Sequence, residues 1–181
     1  FEKFLNEFPT SPYAEKVSSY LVEVYMNTRS YDAALKSIDR IAKPSAQILE
    51  AKQKILFQLG TQSFANADFE QALKYLNQSI AIGQYNRQTK ADAYYWCGES
   101  YYRLNRMVEA ARDFNAYLQL TTQPNNEMYA LANYNLGYIA FHRKDYTQAS
   151  NYFQKYIQLE KGENTTALAD AYNRIGDCHL H

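Results

Sequence analysis

Residues 130–156 read ALANYNLGYIAFHRKDYTQASNYFQKY. Gly137 stands in the middle of a helical pattern, with Tyr146 at +9, Ala149 at +12 and Phe153 at +16 relative to it. A glycine inside a helix costs about 1 kcal/mol relative to alanine, so its placement needs a cause. The same phrase recurs. Gly60, Gly98, Gly137 and Gly176 follow one another at steps of 38, 39 and 39 along the chain. Ala72, Ala110 and Ala149 each stand at +12 from their glycine. Ala34 extends that series back to Val22, where the glycine is absent. Tyr31, Phe69, Met107 and Tyr146 share the +9 phase, and Ile38, Leu76, Phe114 and Phe153 the +16 phase. The simplest cause for the glycines is close approach of two helices where a Cβ would clash.

Self-similarity at a fixed period marks a stacked repeat array. Working outward, the chain divides into a partial repeat over 1–8, repeats over 12–42, 46–82, 88–121 and 127–160, and a partial repeat over 166–181. Each full repeat predicts two helices joined by a short turn, such as Thr28–Ser30, Asn66–Asp68 and Lys144–Asp145. Short turns force antiparallel neighbours. Pro9, Pro12, Pro44 and Pro124 all fall between repeats, as proline's missing N–H requires. Ser11-Pro12 and Pro44-Ser45 read as helix starts. The expectation is an all-α solenoid of antiparallel pairs, about ten helices in a single array. Neither end carries a polar capping helix. Phe1, Phe4, Leu5 and Phe8 are therefore expected to be exposed at one end, and Tyr172, Ile175 and Leu180 at the other. That reads as a fragment of a longer array whose uncapped ends self-associate.

Lys+Arg and Asp+Glu both number 19, so the net charge is zero. This argues against a nucleic-acid or anionic-membrane binder, which needs a basic excess. There is no run of 18 apolar residues, so direct membrane insertion is not expected. Tyrosine is abundant, with 18 residues, and suits half-buried helix faces and binding surfaces alike.

No catalytic constellation, phosphate loop or metal motif can be assembled, so the expectation is a non-enzyme without metal or cofactor. Carboxylates such as Asp92 and Glu99 are read as solvated charges on exposed helix faces. Cys178 and His179 are adjacent on a helix and point to different faces. Cys97 occupies the slot that Leu136 fills in the next copy and reads as a small core residue. It lies two repeats from Cys178, too far to bridge on a stack of about 10 Å per layer.

The order of small and large residues resembles the tetratricopeptide repeat, with its W…LG…Y…A…F…P phrase. Tyr94, Cys97-Gly98, Tyr101, Ala110, Phe114 and Tyr117 carry the likeness in one repeat. Leu136-Gly137, Phe141, Ala149, Phe153 and Tyr156 carry it in the next. The family period is about 34 residues, so the added residues fall in loops such as Thr121–Asn126 and Lys161–Thr165. Phe4–Val17, FLNEFPTSPYAEKV, is similar to a phrase of repeat proteins of the Gram-negative cell envelope. That likeness favours a bacterial protein in the periplasm or associated with the outer membrane over a cytoplasmic one.

The tetratricopeptide resemblance implies a right-handed superhelix with first helices on the concave side. It implies groove-facing residues three before and one, four and five after each glycine position. Ser19, Glu23, Met26 and Asn27 stand there in the first repeat. Phe57, Thr61, Phe64 and Ala65 follow, then Tyr95, Glu99, Tyr102 and Arg103, then Tyr134, Tyr138, Phe141 and His142. The candidate binding groove is Phe57, Phe64, Tyr95, Glu99, Tyr102, Arg103, Tyr134, Tyr138, Phe141 and His142. These rings either pack between neighbouring first helices or contact a ligand. The Lys/Asn clamp of the chaperone-tail-binding subtype is missing, since Ser19, Glu23, Phe57 and Thr61 hold its places. The implied function is a scaffold that binds a protein or peptide in its concave groove. The alternative is a structural spacer or self-association module within a larger protein.

Overall fold

The structure, a computed structural model, describes residues 1–7, 13–124 and 126–181. The expected helix start at Ser11-Pro12 and the expected exposure of Phe8 lie outside them. Ten α-helices follow one another among the described residues: α1 Glu2–Glu7, α2 Ala14–Asn27, α3 Tyr31–Asp39, α4 Ala46–Ala65, α5 Phe69–Ala81, α6 Arg87–Arg103, α7 Met107–Leu120, α8 Glu127–His142, α9 Tyr146–Leu159 and α10 Thr165–His179. No strand occurs among the described residues. Two local features have no counterpart in the sequence reading. α3 stops at Asp39 rather than near 42, and Gly83–Tyr85 form a 3-10 turn before α6.

Most of the helices start for a local reason. The side chains of Ser45, Asp68, Asn86, Asn126, Asp145 and Asn164 accept a hydrogen bond from a backbone N–H three residues on. This satisfies a donor that the first helical turn leaves free. The ends of α2, α4, α6 and α8 share another device. Arg29, Ala67, Asn105 and Lys144 each have φ between 57° and 64°. The amide after each reaches back to Tyr25, Ser63, Tyr101 or Ala140. This is the Schellman closure, in which glycine is the usual residue. Four side chains here hold a left-handed conformation that costs each of them about 1–2 kcal/mol.

The pairs α2/α3, α4/α5, α6/α7 and α8/α9 pack as antiparallel hairpins, and α10 packs on α9. Three of the four periodic glycines bear out close approach, and Gly176, whose Cβ would meet nothing within 4 Å, does not. A Cβ built on Gly60 would sit 2.6 Å from Leu76, one on Gly98 2.8 Å from Phe114, and one on Gly137 2.8 Å from Phe153. The large residue of each second helix thus occupies the space that a side chain on the first would need. Ala34, Ala72, Ala110 and Ala149 are fully buried beside them. The first repeat manages with Val22 against Ile38, both buried, in a core with Ile55 and Leu59. At the chain ends Phe1, Tyr172 and Leu180 are exposed. Leu5 departs from expectation: it is buried against α2 with Ala14 and Leu21. Phe4 and Ile175 are half-buried.

Candidate functional site: the face of the first helices

α2, α4, α6, α8 and α10 are the first helices of successive repeats. Tyr95 and Tyr134 sit three residues before their glycines and turn onto their own hairpins. The Tyr95 ring lies 5.7 Å from Phe114 and 5.4 Å from Tyr117. Tyr134 repeats this at 5.9 Å from Phe153 and 4.9 Å from Tyr156. Tyr95 is only 3% exposed, so it is a packing residue. Tyr134 and Phe57 are half-buried. Phe57 packs on the same central core.

Glu99 corrects the picture of solvated carboxylates, being 7% exposed. Burying a charge is costly unless it is paired and hydrogen-bonded, and three donors meet it. Tyr95 Oη donates at 3.2 Å, Arg103 at 2.9 Å, and Asn135 Nδ2 on α8 closes the third bond. Asp170 on α10 does the same one junction later. Tyr134 Oη donates to it at 2.6 Å, Tyr138 Oη donates to the same oxygen, and Arg174 lies 3.7 Å from its other oxygen. Each carboxylate therefore ties one first helix to its neighbour. Burial, with Asp170 beside them, holds the Tyr134 and Tyr138 phenols above their ordinary value, Tyr138 to about 12. Both remain protonated donors across the physiological range.

The residues further along α4, α6 and α8 are more open. Arg103 is exposed and held on two sides, by Glu99 and by the Phe64 ring at 5.6 Å. Phe64 is half-buried, with Trp96 of the next first helix 5.0 Å away. Tyr102 and Phe141 are half-buried, and His142 is exposed. The Arg174 guanidinium lies 6.0 Å over Phe141. Trp96, Asn135 and Arg174 were not among the positions the sequence singled out. All three stand two residues before their glycines, which is where the next repeat reaches back toward the previous one. Burial pushes the Cys97 thiol well above its ordinary range and also raises Cys178. Both are free thiols. Because the thiolate is the reactive form, native protein is expected to react with Ellman's reagent far more slowly than unfolded protein. Fast stoichiometric labelling of the native state would contradict their placement.

A chain of stacked amphipathic hairpins, each closed on a first-helix glycine or its equivalent, is an α-solenoid. This one belongs to the tetratricopeptide-repeat family, which is matched over residues 57–127 and again over 130–162. No curated protein matches the sequence. Solved structures with the same fold include the MamA protein, with TM-score 0.60 and 18% identity over 94% of this chain and 83% of that one. YrrB, described as a TPR protein with an unusual peptide-binding site, has TM-score 0.60 and 15% identity over 88% and 73%. BtubC from P. vanneervenii has TM-score 0.61 and 13% identity over 90% and 70%. Repeats of this family are generally non-catalytic protein-interaction modules.

Proposed function

We propose that the chain is a non-enzymatic scaffold that binds a protein or peptide segment along the concave face of its first helices. The observation that carries the reading is the row Tyr102, Arg103, Tyr138 and Phe141. It sets half-buried rings beside an exposed guanidinium on two successive helices. Aromatic residues and Arg dominate binding hot spots. Phe64 and His142 extend the row, while Phe57, Tyr95, Glu99 and Tyr134 form the layer beneath that holds it. Glu99 fixes Arg103 and Asp170 fixes Tyr138 in advance, which lowers the ordering cost of association. The peptide-binding site named for YrrB, on the same fold, supports the reading. A net charge of zero favours a protein partner over nucleic acid. The likeness of Phe4–Val17 to cell-envelope repeat proteins supports a setting in the bacterial envelope, although residues 8–12 of that phrase lie outside the described ones.

Affinity capture from a cell lysate tests this, using the wild type and a Tyr102→Ala/Phe141→Ala variant shown to be folded. Loss of one captured protein in the variant is the expected result. Equal capture by both removes the concave face from consideration. A second reading, self-association through the second helices, is favoured by the exposure of Val108 on α7. It would appear in the same experiment as recovery of a second, differently tagged copy.

A further inference from the structure

We propose that the cleft between α2 and the start of α4 receives a protein segment presenting apolar side chains with a Lys or Arg beside them. This rests on the concave-face reading above and gives it a partner chemistry at one place. α4 starts at Ala46, which is −14 relative to Gly60. α6, α8 and α10 start closer to their glycines, at −11, −10 and −11. The added length contributes Ile48, which with Ala51 faces Val22, Glu23 and Met26 of α2 across a cleft of about 490 Å³.

Later junctions are closed by side chains: Phe64 meets Trp96, Asn135 meets Glu99, and Arg174 meets Phe141. Among the described residues, no hydrogen bond, ion pair or ring contact joins α2 to α4. At this first junction α2 and α4 meet through apolar packing of Val22 with Ile55 and Leu59, and the cleft lies beside it. Val22 is buried, and Met26, Ile48 and Ala51 are half-buried, so the floor is apolar, while Ser19, Asn27 and Gln47 stand on a polar rim. A methionine adapts to the shape it meets. Pockets of about 300–1,000 Å³ hold ligands larger than one side chain. Glu23 is the only charged lining residue among the described ones. It is exposed and makes no ion pair among the described residues. An unpaired carboxylate above an apolar floor attracts a cation attached to apolar groups and repels an acidic segment.

The test is an NMR titration of isotope-labelled protein with two peptides, acetyl-Gly-Lys-Leu-Lys-Leu-Gly-amide and its Glu-for-Lys counterpart. The basic peptide is expected to move the amides of Glu23, Met26 and Ile48 saturably, and the acidic one is not. Glu23→Gln should weaken the basic peptide about two- to fivefold, the range of an exposed ion pair. Ala51→Phe fills the cleft and should abolish the shifts while the circular dichroism spectrum stays that of the wild type. Equal binding of both peptides, indifference to Glu23→Gln, or no shift on α2 and α4 would overturn the proposal. Shifts confined to Tyr102 and Phe141 would overturn the cleft alone and leave the concave-face reading standing.

Discussion

Phe114→Ala and Phe153→Ala are each expected to lower unfolding stability by about 3–5 kcal/mol, the usual loss for a buried phenylalanine. Both rings are fully buried. Each fills the space above a glycine of the first helix and meets a tyrosine three residues before it, Tyr95 or Tyr134. Removing the ring leaves a void that the glycine cannot fill, and the tyrosine loses its edge-to-face partner. A repeat array is stabilised by each hairpin and its contacts with the next. The loss should therefore reach neighbouring repeats rather than stay local. Urea unfolding followed by circular dichroism measures it. Val108→Ala, at a 72% exposed position of α7, is the control and should fall within about 0.5 kcal/mol of the wild type. A Phe153→Ala variant as stable as that control would show that the ring is not the keystone of its hairpin.

The same substitution at two glycines is expected to have opposite signs. Gly98→Ala places a Cβ 2.8 Å from the ring of Phe114. That ring is enclosed and cannot swing aside, so overpacking should cost about 1–3 kcal/mol. Gly176→Ala meets nothing within 4 Å. There the alanine should stabilise by about 0.5–1 kcal/mol, because it restricts the unfolded chain and favours the helix. Contacting residues are not additive, so Gly98→Ala should cost less in a Phe114→Leu background. Paired urea titrations decide the matter. If both glycines respond alike, helix propensity alone governs them, and close approach is not the reason for the period.

The period was visible in the sequence because its causes are local. A helix pair closing on a small residue needs a glycine, an alanine and a ring at set distances along the chain. Gly98, Ala110 and Phe114 carry that requirement as plainly as Gly137, Ala149 and Phe153. The turns were visible only in part. Their shortness pointed to hairpins, but Arg29, Ala67, Asn105 and Lys144 take a left-handed conformation that glycine would have signalled.

The sequence by itself determined the repeat, the all-helical class and the packing of Gly60, Gly98 and Gly137 against Leu76, Phe114 and Phe153. What lies exposed on the first helices was decided by the tertiary structure. Tyr95 and Tyr102 occupy one helix and are the same residue type, yet the first is buried and the second half-buried. Glu99 looked like a surface charge until Asn135, far along the chain on the next first helix, was found donating to it. The cleft beside Glu23 lies where α4 starts early and where, among the described residues, no hydrogen bond, ion pair or ring contact joins it to α2. Coverage of this kind depends on how far each hairpin is displaced along its neighbour. That displacement is a property of two packed surfaces, and neither helix carries it in its own pattern.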